Sequence, residues 1–372
     1  MTDQPARGPL AGLRLVEISG LGPTPFTAQL FADLGAEVIR IARPDSAGAA
    51  HNVLGMENDP LERGRDVLEL DLKAPADLAV ARALIARADG LIEGMRPGVM
   101  ERLGLGPADF PDHPALVYGR MTGWGQTGPL AQTAGHDINF IALSGALHAI
   151  GTPETPTIPL NLVGDFGGGT LWLAFGMMAA LWRARATGQG QVVDAAITDG
   201  VAGLLGMIWG LKGNGLWAER RGVNLLDGGV PYYGIYPCAC GGHMAIGPIE
   251  EKFWRLFQEL MGFAPGDLPD RGDRAAWPAL RAAIGARFLE RSRDDWAAIF
   301  EGSDACATPV LSLSEAAAHP HNIARGAYLE HEGMTQPAPA PKFSATPGAI
   351  GPGSTRARIT AAEALARWGA AL

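Results

Sequence analysis

The sequence predicts an α/β chain built around a parallel sheet. Two observations carry this. In the N-terminal third, strand-length apolar runs alternate with helix-length runs, and βαβ units imply parallel pairing. Glycine accounts for 51 of 372 residues, about twice the usual ~7%, as expected where turns and close backbone approaches are frequent.

Taken in order, residues 13–18 read as a mostly apolar strand, and Gly20-Leu21-Gly22-Pro23 turns the chain. A helix is expected over 25–34, with Pro25 in its first turn and Gly35 past its end. Residues 36–41 form the second strand. The Gly-x-Gly after the first strand suggests a nicotinamide site, but Pro25 stands where its third glycine belongs. The second strand runs into Arg40 and Arg43 instead of the acid that a ribose hydroxyl needs. Arginine suits a phosphate, as a bidentate donor, and the 2′-phosphate of NADP stays open on this evidence.

Alternation over 67–72 marks a third strand, 75–88 a helix opened by proline, 90–98 a strand ending in another arginine, Arg96, and 116–120 another strand. Arg40, Arg43, Lys73, Arg96 and Arg102 thus recur at or beyond strand ends. Ligands bind at that edge of open α/β sheets, so a polyphosphate ligand is expected. Residues 170–185 predict an apolar, buried helix, 192–197 a strand and 201–211 a helix. The stretch 212–229 lacks periodicity and reads as a linker. Beyond it come a hairpin over 231–247 around Gly241-Gly242, helices over 251–261, 274–290 and 293–300, and a capping box at Ser312. A Pro/Gly-rich extended segment over 337–352 and a last helix over 361–368 complete the chain. The expected organisation is a large domain over 1–211, the linker 212–229, and a smaller α+β domain over 230–330. A return linker and C-terminal helix, 331–372, pack on the large domain.

Two glycine-rich stretches carry ionisable groups. Gly135-His136-Asp137-Ile138-Asn139 sets an imidazole beside a carboxylate, after the irregular run from Tyr118 to Pro129. Asn161-Leu162-Val163-Gly164-Asp165-Phe166-Gly167-Gly168-Gly169 places a second acid in what reads as a glycine-rich turn. Together they suggest the walls of one pocket. Read alone, His136 is an ordinary polar residue at a helix start and Asp165 an N-cap.

Composition excludes several classes. Hydrophobic residues are 47% and charged residues 19%, with net charge −9, so nucleic acid and anionic membrane are not expected partners. Cys238, Cys240 and Cys306 fit neither a disulfide framework nor a zinc site, and reduced thiols point to a cytoplasmic protein without metal. No apolar signal region opens the sequence. The longest apolar run, 171–182, is shorter than the ~20 residues of a membrane helix.

Several segments in order carry a family resemblance. They are Pro9-Leu10-Ala11-Gly12-Leu13-Arg14, Asp33-Leu34-Gly35-Ala36-Glu37-Val38-Ile39-Arg40, Arg63-Gly64-Arg65, and Glu93-Gly94-Met95-Arg96-Pro97-Gly98-Val99. Met121-Thr122-Gly123-Trp124-Gly125-Gln126-Thr127-Gly128-Pro129 and the run from Asn161 to Gly169 complete the set. Over nearly its whole length the chain resembles the family III coenzyme A transferases (CaiB/BaiF), and within them the α-methylacyl-CoA racemases of lipid metabolism. The resemblance implies a Rossmann-like large domain, a smaller domain, an interlocked homodimer and an active site between large and small domains. It implies His136 and Asp165 as the two proton carriers and Glu250, or its neighbour Glu251, as the group assisting the histidine. It implies coenzyme A contacts at Arg43, at Leu70, Asp71, Leu72 and Lys73, at Arg96 and Arg102, and around Gly135, Asp137, Asn139 and Gly164. Arg40 is added from position alone. No cofactor is required, because the coenzyme A moiety is part of the acyl-CoA substrate.

The residue types suit that chemistry. The α-carbon of a thioester is a weak carbon acid, and its inversion needs a base on one face and an acid on the other. Positioned proton transfer contributes roughly 10²–10⁴-fold; backbone N–H groups at the helix start near His136 are expected to hold the enolate oxygen. Two rivals stay open: a transferase in which Asp137 attacks the thioester, and a silent acyl-CoA binder.

Overall fold

The computed structural model describes residues 8–44, 56, 59–351 and 358–372. The chain divides into two units. The first comprises Met1–Ala146, Pro159–Gly206 and Leu329–Leu372; the second comprises Leu147–Ile158 and Met207–Tyr328.

The first unit is a six-stranded parallel sheet. Its strands are β1 (Arg14–Ile18), β2 (Glu37–Ala42), β3 (Asp66–Glu69), β4 (Gly90–Glu93), β5 (Val117–Thr122) and β6 (Val192–Ala196), in the order β3-β2-β1-β4-β5-β6. The crossovers include α1 (Pro23–Asp33), α2 (Pro75–Ile85) and α3 (Val99–Arg102). Proline opens α1 and α2 at the position where a missing N–H costs nothing. The central strands are buried on both faces and read as continuous apolar runs, as parallel strands do. Val16, Ile39 and Leu91 are fully buried together with Val80 and Leu84 of α2, each contributing roughly 1.5–3 kcal/mol. The same cluster takes in Ala364 and Trp368 of the terminal helix Ala361–Trp368.

After β5 come α4 (Asp137–Leu143), α5 (Ala146–Ala149), a nine-residue π-helical segment Leu162–Thr170, α6 (Leu171–Thr187), α7 (Ile197–Leu204) and α8 (Gly206–Gly213). Three expectations are corrected here. The run 161–169 is a wide helical turn that feeds directly into α6, with the Phe166 N–H reaching back five residues to the Asn161 carbonyl at 3.2 Å. The helix expected over 201–211 is two helices broken at Leu205. The α6 helix is apolar but not buried within its unit: Phe175 is 72% and Trp182 79% exposed. Being hydrophobic all round, it gives no sequence signal for which face meets the sheet.

The second unit pairs β7 (Gly234–Pro237), β8 (His243–Ile246) and β9 (Ala307–Pro309) as an antiparallel sheet. Against it pack α9 (Glu251–Leu260), α10 (Trp277–Phe288) and α11 (Arg293–Phe300). Phe257 stacks on Phe300 at 5.7 Å and Trp296 meets Phe288 edge-on at 5.4 Å. The short helices α12 (Leu313–Ala318) and α13 (Pro320–Arg325) follow, with α12 capped by Ser312 as expected. The hairpin of β10 (Tyr328–His331) and β11 (Met334–Pro337) comes next, and the terminal helix is α14. Among the described residues, no helix is long and apolar enough to cross a membrane.

Candidate active site

Strand order reverses between β1 and β4, and such a switch point opens a crevice at the carboxyl edge of the sheet. From β1 the chain turns into α1 through Gly22, held at φ +62°. A methyl group at Gly22 would lie 3.1 Å from Asp165 Oδ2. The second expected acid therefore stands at the crevice, against the first turn after β1.

Asp165 gets there through the π-helical segment. A π turn carries one residue more per hydrogen bond than an α turn and often marks a functional site. It is braced by α4: the Asp165 N–H donates to Asp137 Oδ1 at 2.7 Å. Gly164 permits this, since a methyl group there would lie 2.2 Å from the same oxygen. The Phe166 ring packs on Phe26 of α1 at 4.6 Å. Asp165 is not an N-cap.

His136 is the N-cap of α4, in extended backbone conformation and exposed. Its N–H donates to Asn139 Oδ1 at 3.0 Å, and its carbonyl accepts the Asn139 N–H at 2.8 Å. Asn139 thus fixes the start of the helix. Phe140 anchors it, buried and edge-on to Trp124 at 4.8 Å. His136 and Asp137 are adjacent on one helix end, and His136 acts electrostatically on Asp165.

Electrostatics tune the pair. Burial, reinforced by the negative charge of Asp137 and opposed by His136, pushes the Asp165 carboxyl up to about 6. Burial raises Asp137 as well, against the N–H bonds of Asp165 and Gly164. A carboxyl so raised lies closer to neutral pH than an ordinary aspartate.

The expected coenzyme A residues lie along the same sheet edge. Arg43 follows β2 and is exposed; Leu70, Asp71, Leu72 and Lys73 follow β3; Arg96 follows β4 and Arg102 ends α3, both exposed. Leu70 is buried, so only its backbone is available, and Asp71 Oδ1 is taken by the Lys73 N–H at 3.0 Å. Arg40 departs from expectation. It is 3% exposed and faces Glu62 at 2.6 Å and Glu17 at 3.8 Å. Glu17 also meets the fully buried Arg65 at 3.0 Å. An inward strand arginine and a ligand-facing one read identically in sequence.

Glu250 belongs to the second unit, as the N-cap of α9. Its neighbour Glu251 is paired with Arg271 at 2.8 Å and Arg255 at 3.4 Å. Gly22, whose signal was its place in Gly-Leu-Gly-Pro, was not foreseen from the sequence, and Asp137, expected at the coenzyme A contact or as a nucleophile, braces the Asp165 backbone.

The description of CoA-transferase family III matches residues 10–354. The chain is 43% identical to the alpha-methylacyl-CoA racemases of Mus musculus and Homo sapiens, over 91% of its length and 87% of theirs. Among solved structures, a CaiB/BaiF family protein from Brucella suis aligns with a TM-score of 0.78 at 25% identity, covering 97% of this chain and all of that one.

Proposed function

We propose, from the premise that the chain belongs to CoA-transferase family III, that it is an isomerase interconverting the (2R) and (2S) forms of 2-methylacyl-CoA thioesters. The observation that carries this is Asp165, at the crevice beyond β1 with a carboxyl pushed up to about 6 by burial and Asp137 and drawn back by His136. One group removes the α-proton to give an enolate and the other returns a proton to the opposite face. For the reverse direction they exchange roles. A group titrating near the working pH is suited to both tasks.

The first backbone N–H groups of α4 lack intrahelical partners, as at any helix start, and are assigned to the enolate oxygen. Arg43, Arg96, Arg102 and Lys73, with the backbone of 70–72, are assigned to the coenzyme A phosphates. Glu250 is assigned to assist His136, on the resemblance and on the engagement of Glu251 by arginine. The reaction draws on no further cofactor, since the thioester itself stabilises the carbanion. A cytoplasmic homodimer completes the reading. Its support is the run of exposed apolar side chains Leu171, Trp172, Phe175, Met178 and Trp182 on α6, a patch that a monomer rarely leaves open. Three free thiols suit a reducing compartment.

The transferase alternative needs an Asp137 oxygen to reach the thioester, whereas Oδ1 is held by the Asp165 N–H and Oδ2 is buried. The test is to incubate one epimer of a 2-methylacyl-CoA in D₂O. Deuterium incorporation with inversion, in the absence of any acceptor acid, is expected. Activity appearing only on adding a free carboxylic acid establishes the transferase instead.

A further inference from the structure

We infer that Asp137 is a positioning residue for α-proton transfer, its carboxylate clamping the π-helical segment so that Asp165 is presented to the substrate carbon. This rests on the racemase reading above and adds to it a residue that neither donates nor accepts the transferred proton.

Three features of the structure converge on it. The Asp165 N–H donates to Asp137 Oδ1 at 2.7 Å, so the contact is made to the backbone of the catalytic acid itself. Position 164 is cut to fit: a methyl group there would lie 2.2 Å from Oδ1 and 2.7 Å from Cγ of Asp137. Oδ2 of the same carboxylate is buried with no hydrogen-bond partner among the described residues. A buried, half-satisfied carboxylate is costly, and a neutral amide would hold the N–H at smaller cost. The Asp137 charge also acts on its neighbour Asp165.

What it does is local. Among the described residues, the charged groups that act on Asp165 are Asp137 and His136, both at the start of α4. The elements packed around the π segment, among them α1, α6 and α7, bring no other charge to bear on it. Asp137 makes proton loss from Asp165 harder, and His136 makes it easier. Removing the first charge leaves the second unopposed.

The experiment uses the full chain and two variants. In Asp137→Asn an oxygen still accepts the Asp165 N–H but the charge is gone. Asp137→Ala removes the contact as well. Turnover and KM for deuterium exchange into each epimer are followed across the acid range, with circular dichroism checking that both variants fold. For Asp137→Asn the acid limb of kcat, in the direction where Asp165 is the base, moves to lower pH while KM holds. For Asp137→Ala, kcat falls on the order of 10²-fold from misplacement of the acid. An unmoved acid limb in Asp137→Asn overturns the inference, as does complete loss of activity at every pH, which marks a nucleophile. If the wild-type chain shows no exchange, the racemase reading and this inference fall together. If it exchanges and the limb stays put, only the inference falls.

Discussion

Gly22 and Asp165 meet at the switch point of the sheet so closely that a methyl group on Gly22 would press to 3.1 Å from Asp165 Oδ2. Gly22 also sits at φ +62°, which L residues seldom adopt. Gly22→Ala is therefore expected to shift the carboxylate and strain the turn. Turnover should fall by about 10²-fold with KM for the thioester nearly unchanged. A variant with wild-type kcat removes this contact from the catalytic geometry.

Replacing one proton carrier should separate exchange from inversion. In His136→Ala, Asp165 remains to lift a proton from the face it meets, so one epimer keeps slow α-exchange while inversion drops by roughly 10²–10⁴-fold. Chiral analysis of the deuterated product reads both quantities. Full inversion in this variant excludes His136.

The Asp165 carboxyl carries a stability consequence. Its value in the folded chain, about 6, lies above its ordinary value of 3.8, chiefly through burial. The folded state therefore holds the proton more tightly than the unfolded one. The stability this gives is complete below pH 3.8 and is lost as pH rises through 6. Asp165→Asn cannot ionise. At pH 7–8 it should melt about 1–4 °C above the wild type, with the gain vanishing toward pH 4. Parallel melting curves across that range decide it.

The arginines at the sheet edge divide by burial. Arg96→Gln removes an exposed cation assigned to a phosphate and should raise KM by about 10–100-fold, from a lost charge-assisted bond of ~1.5–3 kcal/mol. Its kcat should hold, and added salt should reproduce part of the effect. Arg40→Gln instead removes the partner of Glu62 at 2.6 Å and leaves the buried Glu17 to Arg65 alone. It should lower the denaturation midpoint by an amount equivalent to ~3–5 kcal/mol without a selective effect on KM.

Much of the first unit was legible because parallel strands buried on both faces leave continuous apolar runs, and proline marks helix starts. Thus 14–18 and 37–42 stand within a residue of their expected places, whereas the strand expected over 90–98 stops at Glu93. The stretch around Asp165 was not legible, because glycine has two uses. At 167–169 it was read as turning the chain, whereas at Gly168 it lets α7 approach: a methyl group there would lie 2.5 Å from Val201 Cγ2. Strand β9, of three residues, is too short for alternation to register. His136 was found by its neighbours in sequence. Its relation to Asp165 runs through a hydrogen bond spanning 28 positions, which no local pattern records.

The Arg63 guanidinium binds Asp33 of α1 at 2.7 Å, and also Gln336 Oε1 and the Pro337 carbonyl, each at 2.9 Å. Ala364 and Trp368 close the core over the sheet. The unit that begins the chain is thus finished by its last forty-odd residues. During synthesis Arg63 must wait for Gln336 and Pro337, and the core over the sheet for Ala364 and Trp368, until residues 329–372 have been made. The second unit, contained within 147–328, has no such delay.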